Sequence, residues 1–310
     1  MILKKNLLLF FITFVLINVA SKGQELKYPS IVSDNLIFYG DKCSWDADAV
    51  HTFSVVEANK DGYKYWAYYG LDHYNVRDPH IRKAGLARSN DLKNWEKYEY
   101  NPIINNNCRW PTVVYRDGTF YMFYAEYNDD VDSRIVMVSG KNGLDFENKT
   151  VIVPYVKGEQ NQNPFIYFNE NDSMFYLFYY NGTERAAKNK EWNIMVKKSA
   201  NILDLKDEVP YKVISSSQTI AAPSIAYYKN KYYLLVEEFE NFETKSKWVT
   251  NAFVSDSIDK DFVRVSNNPI LSNNDACAFQ YVLNNKLYVS YSHSINLSKS
   301  IWNLRMIKVK

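Results

Sequence analysis

Short runs in which apolar and polar residues alternate, each bounded by turn-forming residues, fill the chain from Ile31 to its end. Alternation with period two buries one face of an extended segment, so the pattern predicts strands rather than helices. The clearest case is Cys108-Arg-Trp-Pro-Thr-Val-Val-Tyr-Arg-Asp-Gly-Thr-Phe-Tyr-Met-Phe-Tyr-Ala-Glu126. There Thr112–Tyr115 and Phe120–Tyr124 flank Asp117-Gly118, a pair suited to the positive φ of a tight hairpin turn. A third strand at Arg134–Ser139 and a fourth near Thr150–Tyr155 complete a four-stranded unit.

The unit recurs. Its second strand reappears as Tyr65–Tyr69, Tyr176–Tyr179, Tyr233–Val236 and Tyr288–Tyr291. The last residues of these runs, with Tyr124 in its place, are spaced 55, 55, 57 and 55 residues apart. The connection from third to fourth strand recurs as well, as Ala87–Trp95, Val138–Phe146 and Val254–Phe262, a small polar turn closed by an aromatic anchor. Repeats of this size stack on their neighbours to bury a shared core. The fold predicted is all-β, a five-bladed β-propeller of four-stranded antiparallel blades. The last copy ends at Trp302–Val309, its third strand, and Ile31–Tyr39 is otherwise unassigned. Pairing these two terminal segments would close the ring and remove an open sheet edge.

Composition adds little to the fold but narrows function. The chain of 310 residues holds 26 Tyr and 17 Phe, in keeping with strands, and its formal charge of +2 gives no reason to expect nucleic acid or an anionic surface as partner. Lys4 and Lys5 precede an apolar core, Leu7–Val19, followed by Ala20, Ser21 and Gly23. Residues 1–23 therefore read as a secretory signal peptide, with 24–310 a single domain, secreted or periplasmic, and without stable membrane insertion once the signal is removed. Of the three cysteines, Cys43 and Cys108 occupy equivalent positions in neighbouring repeats. They either pair or stay as buried free thiols, and the thiol reading is taken. No His or Cys cluster has zinc-ligand spacing, so no metal and no cofactor is expected.

Aligning the first strands on Pro111 places Phe53, Pro164, Pro223 and Ala278 at equivalent positions around the axis. The segments leading into these strands and the loops after each second strand should then share one face. That face collects Trp45, Trp110 and Trp192 as stacking platforms, with Arg109, Gln162, Asn163, His51, His73 and His293 as hydrogen-bonding groups. It also collects the carboxylates Asp46, Asp48, Asp72, Asp78, Glu126, Glu159, Glu184, Glu237, Glu238 and Asp275, most of which read as solvated loop charges. Glu237 and Glu238 alternate on a strand, so at most one of them points to the axis.

The repeated Pro-Thr-Val-Val-Tyr-Arg-Asp-Gly-Thr-Phe-Tyr-Met-Phe-Tyr pattern, with Leu-Ala-Arg-Ser-Asn-Asp-Leu-Lys-Asn-Trp, resembles the five-bladed propeller glycoside hydrolases. These include arabinanases, β-xylosidases, invertase-like enzymes and mannoside phosphorylases. The resemblance implies a base Asp leading into the first blade, a second Asp at the third and an acid Glu on the fourth-blade side. This chain departs from it: Thr52 and Asn163 stand where Asp is expected, and Ala221 and Ala222 precede Pro223 where the Glu would lie. The segment Ser44-Trp-Asp-Ala-Asp48 is similar to a Trp-Asp motif of propeller relatives, which makes Asp46 the candidate base, with Glu238 as candidate acid. Candidate substrate contacts are Trp45, Asp48, His51, His73, Arg109, Trp110, Asn163 and Asp275. Arg77-Asp78-Pro79 mimics an invertase-like motif but falls in a first-blade loop and reads as a turn. The expected function is that of a monomeric glycoside hydrolase acting on an oligo- or polysaccharide. The alternative is a propeller that binds glycan, or another surface ligand, without cleaving it. Two carboxylates about 5–10 Å apart across a pocket separate the first reading from the second.

Overall fold

The computed structural model describes residues 25–41, 44–47, 49–71, 82–128, 132–183, 191–241, 246–272, 274–296, 299 and 301–310. The signal-like segment 1–23, Cys43, Asp48, His73 and the Arg77-Asp78-Pro79 triplet lie outside these residues. The described chain is all-β apart from a 3₁₀ turn at Ile202–Lys206. One sheet contains β2 (Val50–Lys60), β3 (Tyr63–Leu71), β4 (Ala84–Ser89) and β5 (Glu96–Lys97) in sequence order. A second contains β14 (Ile220–Tyr228), β15 (Lys231–Asn241), β16 (Ser246–Ser255) and β17 (Val263–Arg264). Between them in sequence run β6 (Arg109–Arg116), β7 (Thr119–Asn128), β8 (Asp132–Gly140) and β9 (Glu147–Val153), then β10 (Glu159–Asn169), β11 (Met174–Thr183), β12 (Trp192–Ser199) and β13 (Tyr211–Ser216). These eight form two antiparallel runs joined into one sheet by a parallel bridge between Gln160 and Ser133.

The remaining sheet joins the chain ends. It orders β1 (Ile31–Tyr39), β20 (Ile301–Val309), β19 (Lys286–Asn296) and β18 (Ala276–Leu283), with Ile31 opposite Val309 and Tyr39 opposite Asn303. The expected pairing of the terminal segments is thus present. Asp34 on β1 holds it, accepting from Arg305 Nε at 3.0 Å and from Tyr291 Oη at 3.0 Å.

The first strands of the repeats pack in a cycle: β2 on β6, β6 on β10, β10 on β14, β14 on β18 and β18 back on β2. The repeat residues Tyr69, Tyr124, Tyr179, Val236 and Tyr291 are all buried between sheets, where their large apolar area favours stacking one unit on the next. Four of the hairpins joining first to second strands turn on two consecutive residues of positive φ: Asp61-Gly62 (51° and 81°), Asp117-Gly118 (50° and 74°), Lys229-Asn230 (49° and 62°) and Asn284-Asn285 (50° and 57°). This is the turn that matches the twist of the flanking strands.

The fourth strands β5 and β17 are shorter than the repeat suggests, at two residues each. An asparagine amide completes the ladder in both units. Asn101 accepts from Leu86 N at 2.8 Å and donates to Leu86 O at 2.9 Å. Asn268 does the same to Ala252, at 2.7 and 2.9 Å. Each side chain supplies the donor and acceptor that a strand residue would have supplied. Cys108 is a buried free thiol, and Cys277 is buried as well.

Candidate functional site

Every first strand carries a register shift, and at each shift stands one residue in the left-handed region: Thr52 (φ 55°), Trp110 (53°), Asn163 (49°), Ala222 (45°) and Cys277 (50°). A bulge of this kind re-aims the backbone, and a bulky residue such as Trp110 adopts it only where its surroundings demand it. The demand is close packing about the axis. A Cβ added at Gly70 would meet Pro111 Cδ at 2.9 Å and Thr52 Oγ1 at 3.1 Å. The residue after each second-strand repeat position, namely Gly70, Ala125, Tyr180, Glu237 or Ser292, faces this crowded zone. Ser292 Oγ accepts from Thr52 N at 3.3 Å, and Glu237 Oε1 accepts from Cys277 N. Trp110, Ala125, Ala222 and Cys277 pack together, so residues from three sheets meet there.

A cavity of about 180 Å³ opens beside this cluster. Its wall takes Arg109 and Trp110 from β6, Gln160, Gln162 and Asn163 from β10, Tyr180 from β11, Ala221 from β14, Glu237 from β15 and Trp248 from β16, with Thr219. Arg109 stacks on Trp110, with Cζ 3.7 Å from the ring centroid, and its Nη1 donates to Tyr127 Oη. Gln162 and Asn163 are buried, and neither side-chain amide is hydrogen-bonded to a described residue. Burial pushes the Glu237 carboxyl up to about 7, with the Cys277 N–H pulling against that rise. Burial likewise raises the Tyr180 phenol to about 12. The wall at neutral pH therefore combines a cation, neutral amides, aromatic faces and one carboxyl held near its midpoint.

A larger cavity, about 250 Å³, opens at the other end of the same strands. Two of its buried polar side chains, Ser54 and Gln280, are already engaged within the protein. Ser54 Oγ accepts from Val113 N at 2.8 Å; Gln280 donates to Ser224 O and Tyr233 O, both at 2.8 Å, and accepts from Tyr28 Oη at 2.9 Å. The buried amide and hydroxyl there are used by the protein itself, whereas the buried Gln162 and Asn163 amides converge on the smaller cavity, which is therefore the candidate site.

The structure brings Arg109, Trp110 and Asn163 together in that cavity wall and places other expected residues elsewhere. Asp46 is buried in the sheet of β2 to β5, where it accepts from Lys97 Nζ at 2.6 Å, from Tyr69 Oη at 3.2 Å and from Asp41 N at 3.1 Å. None of these partners lines the cavity. Trp45 stacks on Tyr69, with ring centroids 5.6 Å apart, and closes over Gly85. His51 is buried edge-on to Trp302, centroids 5.2 Å apart, at the seam between β2 and β20. Asp275 lies 2.7 Å from His293 Nδ1 where β18 begins. Burial raises its pKa to about 6, and His293 opposes the rise.

Glu238, the candidate acid, accepts from Arg264 Nη1 at 2.9 and 3.1 Å and from Asn251 Nδ2 at 2.9 Å, on the strand face opposite Glu237. The alternation was legible, but Glu237 is the member of the pair that lines the cavity. Repeat spacing could have found it, because it follows Val236 as Gly70 follows Tyr69. Trp248, on a third strand, carries no such signal. Among the described residues Glu237 is the single carboxylate in the cavity wall.

No family model matches the sequence, and no curated protein matches it. Solved structures do. The chain is similar to a thermostable family-43 glycoside hydrolase (TM-score 0.65, 16% identity, covering 84% of this chain and 89% of that one). It is also similar to an endo-arabinase from Bacteroides thetaiotaomicron (0.64, 15%, 89% and 98%) and to the catalytic domain of a GH62 α-L-arabinofuranosidase from Coprinopsis cinerea (0.65, 12%, 91% and 98%). The chain thus has the β-propeller fold of the glycoside hydrolases. At these identities the likeness is one of fold.

Proposed function

We infer that this protein is a secreted, monomeric, saccharide-binding propeller of five four-stranded blades that takes one sugar residue of a glycan into the axial cavity without cleaving it. The blade count is supported by the 55- to 57-residue repeat and by the cycle of five first strands. The observation that carries the functional reading is the composition of the cavity wall. Thr52, Asn163, Ala221 and Ala222 occupy the positions at which the hydrolase resemblance calls for carboxylates, and one carboxylate remains among the described lining residues. Hydrolysis with a base and an acid needs two such groups facing each other. Trp110, Trp248 and Tyr180 offer faces on which sugar C–H groups stack, and Gln162 and Asn163 offer amides to hydroxyls. A volume of about 180 Å³ is below the roughly 300–1,000 Å³ of sites for drug-sized ligands, which favours a single residue over a bound chain.

One observation favours a second reading. A carboxyl with its pKa near 7 is suited to general-acid work, so Glu237 would be the acid if the protein were a hydrolase. Calorimetric titration with neutral and acidic oligosaccharides, run beside a reducing-sugar assay, decides between the two. Saturable binding with no sugar released is expected. Release that Glu237→Gln abolishes would establish the hydrolase, and no binding to any saccharide would reject both.

A further inference from the structure

Five carboxylates are buried among the described residues: Asp46, Glu126, Glu237, Glu238 and Asp275. Four of them have a cation or an imidazole held against them. Lys97 Nζ lies 2.6 Å from Asp46, Arg264 Nη1 2.9 Å from Glu238 and His293 Nδ1 2.7 Å from Asp275. Glu126 has Arg134 Nη2 at 2.7 Å from one oxygen and Lys149 on the other. Glu237 is the exception: Cys277 N donates to its Oε1, and no cation among the described residues forms an ion pair with it. It is also the one of the five that lines the cavity. A buried carboxylate stays ionised when a cation is held against it, and otherwise takes up a proton. Beside Glu237 the room for such a cation is cavity.

The rest of the wall suits a cation. Gln162 and Asn163 each carry an amide oxygen that can accept, and neither amide has a partner among the described residues. A primary ammonium has three N–H donors, enough for Glu237 and both amides. Trp248 and Tyr180 add aromatic faces, which attract cations as well as stacking on sugar rings. Arg109, the cation of the same described wall, stacks on Trp110 and donates to Tyr127 Oη, and its strand lies two units from β15 in the cycle. It has no part in the raised pKa of Glu237, which burial sets against the Cys277 N–H. The register partners of Glu237, Ala221 on β14 and Thr250 on β16, are uncharged. Asp275, raised by burial to about 6, stands beside His293 at the same end of β18 and outside the described wall.

We propose that the sugar residue taken by this cavity is an amino sugar, its ammonium received by the second oxygen of Glu237 and by the amide oxygens of Gln162 and Asn163. This rests on the saccharide reading above and narrows it to one chemical class. Before binding, Glu237 is protonated below about pH 7, so forming the ion pair expels its proton. Binding at pH 5 should release roughly one proton, and affinity should rise about tenfold between pH 4.5 and 5.5.

The test uses β-1,4 trimers of glucosamine, N-acetylglucosamine and glucose, which differ only at C2, with galactosamine against galactose as a second configuration. Calorimetry at pH 5.5 should show an amino sugar binding at least about tenfold tighter than its neutral counterparts. Titrations at pH 5 in two buffers of different ionisation enthalpy should show the released proton for the amino sugar and none for the neutral ones. Glu237→Gln should remove the lead, the proton release and the pH slope, with a thermal melt confirming that the variant is folded. It also separates Glu237 from Asp275, whose titration it leaves in place. If the variant does not fold, proton release and pH slope in wild type still decide. Equal affinity for amino and neutral sugars overturns the amino-sugar assignment and leaves saccharide binding standing. A lead that survives Glu237→Gln, or that comes without proton release, overturns Glu237 as the receiving group. Failure of every sugar to bind overturns both this proposal and the reading beneath it.

Discussion

Glu237 and Glu238 are adjacent on β15, and their surroundings differ in the one respect that matters for a carboxyl, the presence of a cation. Glu238 is buried with Arg264 and Asn251 to neutralise and solvate it, whereas Glu237 is buried with a single backbone N–H. The gap between an ordinary value near 4.5 and about 7 corresponds to about 3 kcal/mol. The sign follows from linkage: the folded state binds this proton more tightly than the unfolded one. Stability is therefore fully present below about pH 4.5 and is lost progressively as pH rises through about 7. Glu237→Gln should match wild type at pH 4 and exceed it by up to about 3 kcal/mol at pH 8, as read from urea unfolding at the two pH values. A wild-type stability that rises between pH 5 and 7 more in wild type than in the variant would contradict this. Asp46 has a different test. Removing its carboxylate leaves Tyr69 and Asp41 N without an acceptor, while Lys97 is partly exposed and regains water. Asp46→Ala should cost about 2 kcal/mol of stability and leave saccharide affinity unchanged; a lost affinity in a folded variant would return Asp46 to the site.

At the scale of the element, the first strand is the device that builds the site. Its bulge turns one residue per unit into the left-handed region, and in three units the residue before it, Arg109, Gln162 or Ala221, lines the wall. The strain differs by residue type. At Ala222 (φ 45°) a glycine would adopt the same backbone without the Cβ penalty, so Ala222→Gly should stabilise by up to about 1 kcal/mol in denaturant titration. Destabilisation would mean that the packing of the Ala222 methyl against Trp110 outweighs the backbone cost. The short fourth strands make a second element-scale prediction. Asn101 and Asn268 each replace a strand residue with one side chain, so Asn268→Ala should leave the Ala252 N–H without its acceptor, while the Ala252 carbonyl keeps the Val265 N–H, and cost about 1–3 kcal/mol. Slowed exchange at the Ala252 amide in that variant would count against it.

For the whole molecule the closing feature is the sheet that takes β1 from one end of the chain and β18 to β20 from the other. Without β1, the outer edge of β20 would present unpaired N–H and C=O groups along nine residues. A chain lacking residues 25–40 should therefore melt at lower temperature and associate through that edge, visible as a raised mass in light scattering. A monomer of unchanged melting temperature would show that closure contributes little. Buried Lys197 ties units together in another way, donating to Ile152 O, Leu205 O and Lys206 O at 2.7, 3.0 and 3.1 Å. Three carbonyls satisfied by one ammonium explain how a cation is accommodated between β9, β12 and the 3₁₀ turn.

The strands, their hairpin turns, the repeat and the pairing of the chain ends were written in local pattern. Alternation, the Asp117-Gly118 turn and the recurring tyrosines depend on neighbours in sequence and so are visible without a structure. Arg109, Trp110 and Asn163 were found for the same reason, since each lies at or next to a repeat position. What only the tertiary structure decided is which polar residues meet. Asp46 looked free for chemistry until Lys97, distant in sequence, was placed 2.6 Å from it. Glu238 looked as able as Glu237 until Arg264 arrived from another strand on one face of β15 and left the other face to the cavity. A carboxylate's role depends on the charge and water within a few ångströms of it, and that environment is assembled from strands far apart in the chain.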